Sequence, residues 1–161
     1  MVLKDIQKSR VWLIVLTVFL LVPILFFSIE YWNRINADIV ESGNINADCD
    51  LHKASCEASF EENGKLVFSI TPAPIKPLSP LDLQVELVNI NAQSVQVDFE
   101  GIGVYMGFYR PELKREINNV FKGIAILSVC TLENMLWQAT VIIKTDKGTI
   151  VAPFRFEVEQ S

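Results

Sequence analysis

The residues with the most chemical promise carry sulfur. Apart from Met1, methionine occurs only at Met106 and Met135, and Cys130 falls between them. Both methionines lie in irregular stretches beside expected strand ends, where loops gather. Thiolate and thioether are soft donors that favour copper(I) over harder ions. Met106, Cys130 and Met135 would together supply three sulfurs, with Trp137 or Tyr105 shielding the ion. Each methionine alone also reads as core filler, and Cys130 alone as an inert thiol buried at a strand end.

Cys49 and Cys56 form a second constellation, with Asp50, Leu51, His52, Lys53, Ala54 and Ser55 between them. One reading is a disulfide that staples the entry to a domain. So short a loop would add a few kcal/mol at most. Another is a redox dithiol, although reactive pairs usually follow a Cys-x-x-Cys spacing. A third is a metal pair with His52 between the sulfurs. His52 by itself reads as an exposed loop residue.

Several classes of chemistry are disfavoured. His52 is the sole histidine, which leaves little room for Ser/His/Asp catalysis and none for zinc held by several imidazoles. No hydrolase or transferase constellation is visible, so an enzyme is not expected, nor is a small-molecule substrate. The 161 residues carry a net charge of −5, and the Lys/Arg residues are scattered beyond the N-terminus. Nucleic acid is therefore not an expected partner, since its binding needs clustered cations.

The elements that must position these residues begin with an anchor. Residues 11–29 run VWLIVLTVFLLVPILFFSI without a charge. About 20 apolar residues cross the hydrocarbon at about 1.5 Å each. A cleaved signal would exit through small residues, whereas Glu30, Tyr31 and Trp32 follow here, and the two aromatics suit an interfacial belt. Lys4, Lys8 and Arg10 precede the segment against Asp5 alone, so the positive flank stays inside and the rest lies outside. Residues 1–10 then form a cytoplasmic tail, 11–29 a transmembrane helix, 30–47 a polar juxtamembrane linker and 48–161 an outer domain. Placed outside, the cysteines sit where disulfides persist.

The outer part reads as strands. Stretches 66–71, 81–88, 94–100, 121–128, 137–144 and 149–159 are strand-like. Alternation puts Leu81, Leu83, Val85 and Leu87 on one face, then Val95, Val97 and Phe99, then Trp137, Ala139, Val141 and Ile143. Period-2 alternation marks half-buried strands. Asn63-Gly64, the stretch 72–80, 89–93 and Asp146-Lys147-Gly148 supply turns. Six or seven short strands predict a mainly β fold, an immunoglobulin-like antiparallel β-sandwich. The prolines of 72–80 predict a crossing between sheets or a cap on an edge. Pro153 places the last strand at an edge or a bulge, and residues 111–119 read as a charged turn.

A resemblance covers nearly the whole chain. It rests on Tyr105-Met106-Gly107-Phe108-Tyr109-Arg110-Pro111 and on Val129-Cys130 followed by Met135-x-Trp137. It also rests on Cys49 and Cys56 ahead of Ile70-Thr71-Pro72-x-Pro74-Ile75. Together these resemble a group of small bacterial proteins with one membrane helix and a periplasmic domain, encoded near Sco-type copper chaperones and haem–copper oxidase assembly factors. More distantly the layout is similar to FixH and YtkA-like proteins and CopC-type sandwiches. The resemblance implies copper handling or cytochrome oxidase assembly at the bacterial inner membrane, with the N-terminus in the cytoplasm and the domain in the periplasm. It implies a Sco-type chaperone or an oxidase subunit as partner. Two departures stand out. The group carries Met-x-Met-Gly where this chain has Val104-Tyr105-Met106-Gly107, and CopC-type copper(II) sites use histidines that this chain lacks. Any bound copper is therefore expected as copper(I). A non-metal interaction module on a membrane complex, and a thiol redox partner of an assembly factor, are the competing functions.

Overall fold

The computed structural model describes residues 12, 17–26, 28, 39–45, 49–105, 107, 109–128 and 134–159. The chain divides into two compact units, Met1–Ala37 and Asp38–Ser161.

In the first unit, Trp12, residues 17–26 and Ser28 are helical. The Ser28 hydroxyl donates to the Ile24 carbonyl at 2.8 Å, the usual way a helix absorbs a serine. Among the described residues no helix is long and apolar enough to cross a membrane. The rest of the expected span 11–29 lies outside them. Val18, Phe19, Leu20, Leu21, Val22, Ile24, Leu25 and Phe26 are all more than half exposed, so the described turns have an apolar surface all round.

The second unit is mainly β. Its strands are β1 Ile39–Ser42, β2 Asn44–Ile45, β3 Cys56–Ser59, β4 Lys65–Thr71, β5 Pro80–Val88, β6 Ala92–Gly101, β7 Glu112–Arg115, β8 Val120–Ile126, β9 Asn134–Thr145 and β10 Gly148–Glu159. They follow one order, β1-β10-β9-β6-β7-β8-β5-β4-β3-β2. The short strand β7 joins two arms. Glu112 and Leu113 pair with Gln96 and Val95 of β6, while Lys114 and Arg115 pair with Lys122 and Phe121 of β8. Both arms turn their apolar residues to one core. Phe68 of β4 packs on Phe154 of β10 with ring centroids 5.3 Å apart, and both side chains are fully buried. Each such ring removed from water stabilises by about 1.5–3 kcal/mol.

The alternation read from the sequence holds in the long strands. Leu81, Leu83, Val85 and Leu87 are buried, as are Val95, Val97 and Phe99, Trp137 to Ile143 on alternate positions, and Phe154, Phe156 and Val158. The differences lie in the connections. The stretch 30–47, expected as a linker, contributes β1 and β2 through residues 39–45. β1 lies parallel to β10 and β2 antiparallel to β3, so one short stretch sits at both ends of a barrel-like strand order, and the ladders are not all antiparallel. Gly43 is the corner between them. A Cβ there would meet the Phe60 ring at 2.9 Å, so only glycine fits without displacing that ring. Residues 72–79 do not cross between arms. They join β4 and β5, hydrogen-bonded neighbours from Lys65↔Val88 to Thr71↔Asp82. Prolines suit this loop because it has no ladder to serve. Residues 111–119 hold strand β7 besides the expected turn. Ile117–Asn119 is a short 3-10 segment, and Leu113 is the one buried residue of β7.

Pro153 sits as its chemistry requires. Val151 accepts the Gly43 N–H at 2.7 Å, so alternate residues of β10 face the β1 side. β1 ends opposite Val151, and the missing proline donor therefore faces an edge with no partner strand among the described residues.

Candidate functional site

The strand registers define two ends of the β unit. One end holds Ile39, the 3-10 turn Glu61–Asn63, residues 89–91, Ile117–Asn119 and the turn after Thr145. The opposite end holds loop 49–55, the proline loop 72–79, loop 102–108 and the connection 127–133. Of the sulfur residues singled out in the sequence, Cys49, Cys56 and Met135 belong to, or flank, this second end.

Met106 and Cys130 lie outside the described residues, but the chain around them is well tied. Ile102 N–H donates to the Leu136 carbonyl at 2.8 Å, which joins the start of loop 102–108 to the start of β9. Ile126 N–H donates to the Tyr109 hydroxyl at 3.1 Å, which joins the end of that loop to the strand preceding Cys130. The two sulfur-bearing connections thus spring from adjoining strand ends. Met135 is not in a loop. It is the second residue of β9, pairs with Val158, faces the core and is 5 % exposed. Its spacing from Trp137, Ala139 and Val141 was the signal for this, because all four share one parity.

The motif Tyr109-Arg110-Pro111 has a structural explanation. Phe99 N–H donates to the Tyr109 carbonyl and Val97 N–H to the Pro111 carbonyl, both at 3.1 Å, so this stretch returns along β6. The Tyr109 ring lies 6.2 Å from Phe99. Arg110 donates to Asp98 Oδ2 at 2.5 Å, and this bond holds the guanidinium above its ordinary pKa. Asp98 is buried, and among the described residues its Oδ1 has no hydrogen-bond partner.

Cys49 and Cys56 are bonded to each other, with Cα atoms 5.5 Å apart. His52, between them, is not a free loop residue. Its Nδ1 accepts the Ile75 N–H at 3.1 Å, and its Nε2 donates to the Glu157 carbonyl at 2.6 Å. The ring meets Phe156 edge-on at 6.2 Å. One imidazole therefore clamps loop 49–55, the proline loop and β10 together. With both ring nitrogens engaged and both cysteines spent on the bridge, the metal-pair reading of Cys49, His52 and Cys56 falls. Sequence reasoning missed the clamp because its partners lie 23 and 105 residues away. Among the described residues no group of three His, Cys, Asp or Glu side chains is placed to hold an ion.

Two grooves are formed by the described residues. One of about 500 Å3 lies at the chain-entry end over Phe60, Ile90 and Ile150, with Glu61 and Asp146 at its rim. The other, of about 570 Å3, lies beside the clamp between Asp50, His52, Ile75, Lys76 and the end of β10.

No family model and no curated protein matches the chain. Among solved structures it is similar to the crystal structure of an engineered protein, a structural-genomics target. The identity is 18 %, the TM-score is 0.39, and the match covers 60 % of this chain. It spans about a fifth of the other chain, 20 % of its length.

Proposed function

We propose that this chain is a membrane-anchored accessory protein of the bacterial envelope that binds copper(I) through Met106, Cys130 and Met135 and serves haem–copper oxidase assembly. The observation that carries the reading is the adjoining origin of connections 102–108 and 127–133, tied through Ile102–Leu136 and Ile126–Tyr109. Sulfur donors fit copper(I), and engaged His52 would leave the set free of imidazole. Met135 would contribute from the top of the core, where strand β9 begins. The apolar surface around residues 17–26 supports the anchor, which we place across the inner membrane with the N-terminus in the cytoplasm. The two arms meeting at Phe68 and Phe154 support an immunoglobulin-like sandwich as the finer description of the periplasmic domain. A Sco-type chaperone or an oxidase subunit is the proposed partner. The test is anaerobic titration of the full chain with copper(I) against a competing chelator. Parent protein should win copper that the triple variant Met106→Leu, Cys130→Ser, Met135→Leu loses. Equal affinity of the two would sink the site.

The burial of Met135 favours a second reading, an interaction module whose sulfurs are only packed. Purification with the anchor intact should then recover a specific envelope partner. A thiol redox role ranks below both, because Cys49 and Cys56 are spaced for a staple; a bridge that turns over under mild reductants would restore it.

A further inference from the structure

We propose that the His52 clamp is a proton-operated latch. Uptake of a proton at Nδ1 makes the imidazole release the Ile75 N–H, which opens the corner between loop 49–55 and the proline loop.

The two bonds of the ring fix the form in which it clamps. A backbone N–H can only donate, so Nδ1, which accepts from Ile75 at 3.1 Å, carries no hydrogen. A carbonyl can only accept, so Nε2, 2.6 Å from the Glu157 oxygen, carries one. The neutral ring with its hydrogen on Nε2 is the one form that makes both bonds. A second proton would sit on Nδ1 and point at the Ile75 N–H, donor against donor. The Glu157 bond survives that change and the Ile75 bond does not. The half-buried ring borders the groove of about 570 Å3, so water reaches it.

The charges around the ring balance. Asp50 and Lys53 of its own loop form an ion pair at 2.7 Å. Lys76 lines the groove from the proline loop, and Arg155, Glu157 and Glu159 line it from β10. Acids and bases are equal in number, so neither sign dominates and the hydrogen bonds decide.

The movement is local. The His52 backbone stays tied, because its N–H donates to Asp50 Oδ1 at 3.0 Å and the Cys49–Cys56 bridge closes the loop. Leu51 and Ile75 keep their side chains in the core. The far end of the proline loop is held by the Leu78 N–H, which donates to the Leu127 carbonyl at 2.9 Å. Release therefore turns the ring away and bares the Ile75 N–H to the groove, while the frame stays folded. A change of charge on one side chain thus biases a contact with two states, and histidine is the side chain that makes such a change near neutral pH. The latch is shut at high pH and opens as pH falls.

The test uses the full chain in detergent micelles and reads the protection of single amides by hydrogen exchange. Opening that is coupled to one proton, on a released imidazole titrating at about 6.5, rises about thirtyfold from about pH 7.5 to about pH 5. Protection of the Ile75 amide should fall by that factor. The Leu78 amide, in the same loop but bonded to Leu127, should keep its protection. His52→Gln offers a carbonyl and an amine that do not titrate. It should abolish the pH response at Ile75, whatever protection it leaves there. The proposal is overturned if Ile75 protection is flat across this range, if Leu78 falls by the same factor, or if His52→Gln keeps the fall. None of these outcomes depends on copper.

Discussion

The two ends of the β unit solve different problems. At the chain-entry end the connections are short and fully stitched. Asn119 Nδ2 donates to the carbonyls of Leu87 at 3.1 Å and Ile90 at 2.8 Å, and Gln93 donates to Asp146 at 2.6 Å. Arg115 reaches the Ala92 carbonyl and covers the Phe121 ring at 4.9 Å. Glu62, Asn63, Asn89, Asn118 and Asn119 adopt positive φ there, the price of tight turns, and asparagine tolerates it best. The opposite end carries longer loops, tied by the bridge, the His52 clamp, the Ile102–Leu136 bond, the Tyr109 hydroxyl and a bond from the Leu78 N–H to the Leu127 carbonyl at 2.9 Å. Short turns fixed by their own side chains leave little to vary. Long loops on a rigid frame are where binding groups are usually carried, and here they carry Cys49 and His52.

Removing the bridge should separate the ends most. The double variant Cys49→Ser, Cys56→Ser should lose about 2–3 kcal/mol, the loop-closure value for so short a span. Denaturant melts would measure this. Hydrogen exchange should quicken at the Ile75 amide, which His52 holds, and stay unchanged at Glu116, whose amide is bonded to Val120 at the other end. Equal quickening at both would mean that the ends are not independent.

A smaller loss should follow at the entry end. Asn119→Gly keeps the left-handed backbone that the residue adopts, at φ 62, and removes only the side chain's two bonds. The expected cost is about 1–2 kcal/mol, read from thermal or denaturant unfolding. Asn119→Ala should cost more, because alanine also strains that backbone.

Carboxylate protonation should affect the two ends alike and least of all. At the entry end a hydrogen bond from Lys147 holds Glu62 below its ordinary value. At the other end a hydrogen bond from Lys53, then the His52 N–H, does the same for Asp50. A carboxylate with a lowered folded-state pKa stabilises above its unfolded value, and that contribution fades as pH falls through the folded one. Lys147, Glu62 and Lys53 are exposed and Asp50 is partly so, and solvent screens both pairs, so the loss should be small and should appear only below about pH 4. NMR titration of the two carboxylates would check it, and a large drop at one end alone would contradict the symmetry.

Much of the frame was legible. Leu81 to Leu87 and Trp137 to Ile143 announce their faces through strict alternation. β7 was not, because Glu112, Lys114 and Arg115 surround a single apolar residue, Leu113. Nor was the role of residues 39–45, where Ile39 and Val40 remain exposed and pairing rather than burial makes the strand. For the candidate site, sequence supplied the residue types but not their company. Met135 could be read as core from its parity with Trp137, whereas the partners of His52 are set by tertiary folding, which no local pattern records.

The stretch around Gly43 has a consequence in time. Ile39 pairs with Thr149, a separation of 149 − 39 = 110 residues, while Asn44 pairs with Ser59 only 59 − 44 = 15 residues away. Contacts between distant residues form late, because a long loop must close before they contribute. During synthesis β2 therefore has its partner β3 early, while β1, joined to it through Gly43, must wait for β10 to emerge. The fold is sealed last at the place where its chain began.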